Sequence, residues 1–405
     1  MFFLSFVCAS YSANYAVLIA GSKGYENYRH QSDIFQAYQL LRERGFNDEN
    51  IILMAYDDIA ENEKNMFKGT IFNLGLFDNV YPGTDKIDYK GSSVTATNFI
   101  NVITGTVTSS TKVVLKSGPE DNVYIFYNDH GAKGLLAMPT GGSLYANKLR
   151  TAILKMQEKK MFKKLFFTIE ACYSGSVGEM LNDIPNVAVL TAANGEESSY
   201  ATGFDILIQT FRTNQFSQQF FKAAKKSPTA TIEEIWEKVS KKVSKSHVMK
   251  YGPEDYIKTS KLSEFWLTPN EDSNDEELQL QYEPTSIISQ FNTTLSYAKR
   301  RIAEAATKEE RLDAEFDYIG EKLHRKLTDF VFDNITKQFT SLREVPVKEI
   351  DWDCYEKAVE TFRQKCGDVG EYELQRLSLF SDMCASDKID GIKQKIEKIC
   401  PSKRW

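Results

Sequence analysis

Apolar runs and helical patterns take turns along the chain as far as about residue 270. Tyr15–Gly21 reads YAVLIAG, a continuous apolar run of the length of a strand buried on both faces. The next stretch, SDIFQAYQLLRERG, predicts a helix with Ser32 placed to cap its start and Gly45 to end it. Further strands are predicted at Ile51–Tyr56, within Asn122–Gly131, at Lys164–Cys172 and at Asn186–Ala193. Helices are predicted at Ser143–Lys160, Phe216–Ala224 and Ile232–Val243. This alternation predicts an α/β sheet with crossover helices.

The pattern then changes. Residues 269–284 read PNEDSNDEELQLQYEP, which is acidic, polar and without an apolar face, as an exposed linker would be. Beyond it only helical spacing remains, at Ile302, Leu312, Phe316, Leu323, Leu327 and Phe330 and later at Val359, Phe362, Leu377 and Leu379. A second, all-helical domain is predicted there. The first residues, MFFLSFVCASYSA, run from apolar to small and predict a secretion signal cut between Ser10 and Asn14. The predicted division is thus 1–13 signal peptide, 14–268 α/β domain, 269–294 acidic linker and 295–405 helical domain.

Composition narrows the function classes. The net charge of −6 comes without a basic block, which disfavours nucleic acid as a partner. No apolar run reaches the length of a membrane span. Cys354, Cys366, Cys384 and Cys400 crowd the helical tail, whereas Cys172 stands alone in the first domain. Four cysteines in a short tail fit two disulfides, hence an oxidising compartment, and no tight C-x-x-C pair favours zinc. Their pairing stays open among three connectivities at this point. Two sequons, at Asn292 and Asn334, are candidate glycosylation sites and agree with export.

Two of the predicted strands end in reactive residues. One runs into Asn128-Asp129-His130-Gly131, the other into Glu170-Ala171-Cys172-Tyr173-Ser174-Gly175. The carboxyl ends of parallel strands form the rim where ligands bind. If these strands are neighbours, an imidazole and a thiol face each other, as nucleophilic catalysis requires. Taken singly, a strand-end cysteine is more often a small buried hydrophobe, so the pair carries more than either residue.

Several stretches resemble the legumain (asparaginyl endopeptidase) family: VLIAGSKGYENYRHQSDIFQAYQLLRERG, YDDIA, VLKSGPEDNVYIFYNDHG, IEACYSGS, TAANGEESSYA and SHVMKYG. The resemblance spans about residues 15–268, and the four-cysteine tail resembles that family's prodomain. It implies a caspase-like fold: a mostly parallel sheet with helices on both faces, followed by an all-α prodomain with Cys354–Cys384 and Cys366–Cys400 disulfides. It implies Cys172 as nucleophile, His130 as its proton-transfer partner and Asn27 as the support of His130. It further implies an oxyanion hole from the N–H groups of Gly131 and Cys172, with Asp129 an active-site neighbour. Arg29, His30, Glu170 and Ser199 match the pocket for the substrate side chain. A carboxamide offers one acceptor and one donor group, so such a pocket needs a fixed donor and a fixed acceptor. The chain departs from the family at Asn214, the residue nearest to a second pocket acid, where an amide leaves the pocket less acidic.

The resemblance thus implies a cysteine endopeptidase cutting after Asn and less readily after Asp, made as a zymogen activated at acidic pH, with peptide ligase activity as a variant of the same chemistry. Asn270, Asn274 and Asn292 are candidate self-processing positions. Expected partners are peptide and protein substrates, the chain's own prodomain and cystatin-type inhibitors; no metal or organic cofactor is expected. The expected route is secretory, ending in lysosome-like acidic vesicles, at the cell surface or outside the cell. Two rivals remain: a catalytic subunit like that of GPI transamidase, and a non-catalytic family member that acts by binding.

Overall fold

A computed structural model describes residues 12–75, 77–267, 287–337, 350–385 and 389–400. Of the sequence expectations, the signal through residue 11 and the processing positions Asn270 and Asn274 lie outside the described residues.

The continuous apolar runs form the centre of a six-stranded sheet. Its order is Met249–Tyr251, Val187–Thr191, Lys164–Glu170, Asn122–Asn128, Asn14–Ala20 and Ile51–Met54. Neighbours pair in parallel except the Met249–Tyr251 edge strand, which is antiparallel. Alternate side chains of one run enter opposite layers. Ala16, Leu18 and Ala20 join a core with Phe35, Leu41, Phe220 and Trp266, whereas Val17 and Ile19 join one with Phe99, Leu149 and Ile153. Helices therefore cover both faces, which is why these strands read as unbroken apolar segments. The helix Tyr28–Glu43 lies on the first layer and Ala146–Glu158 on the second. The α/β sheet with helices on both faces and an all-α C-terminal region agrees with the sequence expectation.

The helical region holds Thr293–Glu304, Lys308–Thr336, Trp352–Cys366, Ser378–Cys384 and Ile389–Ile399. Thr307 and Glu310 form a capping box at the start of the longest helix. Cys354 is bonded to Cys384 and Cys366 to Cys400, with Cα–Cα distances of 5.8 and 5.1 Å. The core of this region continues onto the sheet domain: Phe291, Tyr355, Val359 and Phe362 share one cluster with Ala132, Leu135, Tyr145 and Cys172. The helical spacing read in the sequence is a helix here, packed by its other face. The long helix buries Ala314, Arg325, Thr328, Val331, Phe332 and Ile335, while the periodic Leu312, Phe316, Leu323, Leu327 and Phe330 are exposed. Their spacing marks a helix, but the packed face is the opposite one.

Candidate active site

Asn128 and Glu170 are register partners at the ends of adjacent parallel strands. The chain continues two residues beyond each to reach His130 and Cys172, so the fold delivers both to one rim. Their backbones touch: a Cβ at Gly131 would stand 2.5 Å from Cys172 O, so a larger residue there must displace backbone. After Cys172 the chain turns sharply. Tyr173 takes a left-handed φ of 55°, and Gly175 N bonds Ala193 O at 3.0 Å. Gly175 is confined by the Asn194–Gly195 backbone, 2.6 Å from where a Cβ would sit.

The short helical turn Tyr25–Asn27 leads into the helix Tyr28–Glu43 and sets Asn27 above the histidine. Asn27 Nδ2 donates to Lys23 O at 3.0 Å, so its Oδ1 accepts from His130 Nε2–H at 2.8 Å. That network leaves Nδ1 as the basic nitrogen of a neutral imidazole. Nδ1 is buried and has no hydrogen-bond partner. The Cys172 thiol is engaged elsewhere, 3.3 Å from Ser198 Oγ and 3.4 Å from Ser199 N. Burial pushes the thiol up to about 12 and holds His130 well below its ordinary value. Both groups are neutral in this closed form.

The adjoining pocket is assembled and filled. Its occupant is Gln290, which the sequence reading missed. Gln290 Oε1 accepts from Arg29 Nη2 at 2.9 Å and from His30 Nε2 at 2.8 Å. Gln290 Nε2 donates to Ser199 Oγ at 2.6 Å and to Glu170 Oε1 at 3.2 Å. Four of the five expected pocket residues thus converge on one carboxamide. Glu170 Oε2 accepts from Ser217 N and Oγ, both at 3.2 Å, and burial, with Asp33 adding, raises Glu170 to about 8.

Asn214 stands one layer further back. Its Oδ1 accepts from Arg29 Nε at 3.1 Å, while its Nδ2 donates to Asp33 Oδ2 at 2.9 Å and Asn128 Oδ1 at 3.0 Å. It orients the arginine rather than touching the occupant. Asp33, also missed, is a fully buried carboxylate that further accepts from Thr213, Asn73 and Asn128. Its position one helical turn after Arg29 was the available signal.

The strand Ile288–Ser289 that precedes Gln290 pairs antiparallel with Tyr200–Asp205, and Gln290 N bonds Ser199 O at 3.0 Å. The chain then curls into a helix. Thr293 Oγ1 bonds Gln290 O at 3.0 Å, so the carbonyl after the occupant is held by that turn. Glu371, from the helical region, closes the other side: its Oε2 lies 3.7 Å from His130 Nε2 and its Oε1 accepts from Thr294 N at 3.1 Å. Asp129 is buried beside His30, with Oδ1 3.0 Å from His30 Nδ1. His30, Asp129 and His130 bring three ligand-type atoms within 4.8 Å of one another, but Ser22, Gln290 and Asn27 already hold the two imidazoles. Of the sequons, Asn292 Oδ1 accepts from Arg325 Nη1 at 2.7 Å and Asn334 Nδ2 donates within its own helix to Phe330 O at 2.7 Å.

Comparison with known proteins gives this geometry a context. Residues 14–274 match the Peptidase C13 family. The chain belongs to that family. A C13 reading extends into the helical region, because residues 300–400 match the legumain prodomain. The vacuolar-processing enzyme delta-isozyme of Arabidopsis thaliana is 34% identical, over 91% of this chain and 86% of its own. Legumain of Bos taurus is 34% identical, over 96% of this chain and 93% of its own. The chain is a C13 cysteine endopeptidase carrying its prodomain, that is, a zymogen. No described helix is long and apolar enough to cross a membrane.

Proposed function

We propose that this C13 zymogen is an asparaginyl endopeptidase, held silent by its own prodomain and released at acidic pH. The observation that carries this reading is the seating of Gln290. A pocket that gives a carboxamide two donors at its oxygen and two acceptors at its nitrogen suits asparagine, and apolar residues would leave those groups unpaired. An ionised aspartate would set a second acceptor oxygen where the carboxamide NH₂ meets the acceptors Ser199 Oγ and Glu170 Oε1, so cleavage after Asp rises as pH falls and the aspartate takes up a proton. A substrate would add as an edge strand along Tyr200–Asp205, as Ile288–Ser289 does.

His130 Nδ1 takes the proton of Cys172, and the sulfur attacks the carbonyl carbon after the substrate Asn. The N–H groups of Gly131 and Cys172 hold the oxyanion. The amine leaves with the proton from His130. Water then attacks the thioester, gives its proton to Nδ1 and frees the thiol with a carboxyl product. A peptide amine in place of water gives ligation. Gln290 itself resists cutting because its carbonyl is bonded to Thr293 within a helical turn.

Acid release follows the sign of the shifts. His130 is held well below its ordinary value in the closed form, chiefly by burial. Once opened it regains the ordinary value near ~6.5 and binds a proton, so acid below that value favours the open form. Glu371 is raised by burial and works the other way, binding its proton in the closed form. Histidine burial, rather than neutralisation of this contact carboxylate, is the acid-sensitive element. The described disulfides and the names of the vacuolar-processing relatives support a secretory route to an acidic compartment. Cystatin-type proteins remain the expected inhibitors, and Asn270, Asn274 and Asn292 the expected processing positions.

The test is incubation of the full chain at graded acidic pH, with mass spectrometry of its fragments and a panel of peptides with Asn, Asp or Gln at the cut. Processing followed by cleavage after Asn supports the proposal. A chain that stays intact and inactive at every acidic pH, or a processed form that ignores Asn, rejects it.

A further inference from the structure

Hairpin turns favour Gly, Asn and Asp, which suit the bend and the water around it. The turn that joins Tyr200–Asp205 to Thr210–Asn214 instead reads Ile206-Leu207-Ile208-Gln209. Ile208 is buried, but Ile206 is 68% and Leu207 44% exposed. Phe77, 60% exposed, belongs to the same end of the domain. Its ring stands 6.2 Å from that of Phe72, which carries the Arg212 guanidinium, and Arg212 in turn bonds Gly75 O and Asp205. Three large apolar side chains are thus exposed about one turn, where polar residues would serve the bend as well.

We propose that this end of the hairpin, with Phe204 at its base, is a subsite that selects an apolar side chain on the sixth substrate residue before the cut, counting the asparagine as the first. The inference rests on the proposed asparaginyl activity and its edge-strand mode of binding. Register places the residue. Gln290 fills the asparagine position, and Ser289 and Ile288 before it lie opposite Tyr200 and Ala201. Continued along the same edge, the fourth, fifth and sixth residues come opposite Thr202, Gly203 and Phe204. Gly203 has a left-handed φ of 68°, yet no extra residue is inserted there: Thr202 still pairs with Thr213 and Phe204 with Phe211. Side chains directly opposite share a face and stand about 5 Å apart. The sixth side chain therefore meets Phe204, ~17 Å from the asparagine at ~3.3 Å per residue, and the exposed tip follows directly. Asp205 is already bonded to Arg212, which argues against a basic residue at that position. In the zymogen the site is closed: Arg300, from the helix Thr293–Glu304, lays its guanidinium 4.1 Å above the Phe204 ring. Release of the prodomain uncovers the ring, and an apolar substrate side chain then removes Phe204 and the tip from water.

The test uses the processed enzyme and peptides with Asn at the cut, alanine before it and a single leucine walked from the third to the eighth position upstream. The value of kcat/KM is expected to peak at the sixth position, roughly tenfold above the all-alanine peptide, chiefly through KM. In Phe204→Ser the peak is expected to vanish, read as the ratio of leucine to alanine peptide within the variant, and Phe204→Tyr is expected to keep it. Ile206→Asp with Leu207→Asp, both on the exposed tip where the fold makes no demand on them, is expected to lower the peak severalfold. Cleavage after Asn with no preference among the upstream positions overturns the subsite and leaves the asparaginyl reading standing. Peptides that are not cut after Asn overturn both. A peak that survives Phe204→Ser, or arginine preferred over leucine at the sixth position, overturns the apolar subsite.

Discussion

The pocket and the catalytic pair lie side by side, yet they are in opposite states. The pocket is complete: Arg29, His30, Glu170 and Ser199 all bond the Gln290 carboxamide. The proposed catalytic pair is not engaged: His130 Nδ1 has no partner, and the Cys172 sulfur contacts Ser198 and Ser199. On the proposed function, recognition is built before activation and chemistry waits for it. The prodomain contributes to both conditions, since residues next to it fill the pocket and Glu371 helps wall in His130. Dry surroundings then keep thiol and imidazole neutral, and a neutral thiol is a poor nucleophile.

The comparison can be broken at either half. Cys172→Ala removes the proposed nucleophile and is expected to lower turnover of the processed enzyme by on the order of 10⁴-fold or more, with peptide affinity retained. Steady-state kinetics and a binding titration on the same variant check the split. Arg29→Leu leaves the chemistry in place but strips the pocket oxygen of its charged donor. Its kcat/KM for Asn peptides is expected to fall on the order of 10³-fold, with a smaller loss for other residues. An equal loss across a peptide panel would show that the arginine serves the fold rather than the choice of residue.

Gln290→Ala empties the pocket without touching the catalytic pair. Loss of its hydrogen bonds, about 1–3 kcal/mol, should speed labelling of the intact zymogen by an Asn-peptide thiol probe roughly ten- to hundredfold. The smallest expected effect concerns pH. Prodomain release should rise by up to about tenfold per pH unit below ~6.5 for the one proton that His130 gains on opening. Limited proteolysis across that range measures it. Glu371→Gln should leave this acid dependence in place, because the carboxyl at 371 is raised in the closed form and cannot drive release.

How much of this could be read in the sequence differs between the same two halves. The strands ending in His130 and Cys172 were legible because a strand buried on both faces is a continuous apolar run, and its end is the sheet rim. Asn27, Arg29 and Glu170 came only with the family resemblance. Alone, they look like a turn residue, a surface charge and an ion-pair partner. Gln290 was not legible. It meets Arg29 across 261 positions of sequence, beyond the acidic linker, and no periodicity reports such a contact. Its signal was chemical: glutamine carries the same carboxamide as the asparagine we propose the pocket takes. The stripe on Lys308–Thr336 shows another limit: the helix was legible, its buried face was not. A 3.6-residue period reports a helix with an apolar side, but which side a domain buries depends on the neighbours it meets.

The most direct measurement is the reactivity of Cys172 itself, followed with a small alkylating reagent that makes no use of the pocket. The account predicts a thiol in the intact zymogen that barely reacts near neutral pH, and one that reacts on the order of 10³-fold faster once the prodomain is gone. Equal rates in the two forms would contradict it, since the catalytic pair would then already be engaged beneath the prodomain.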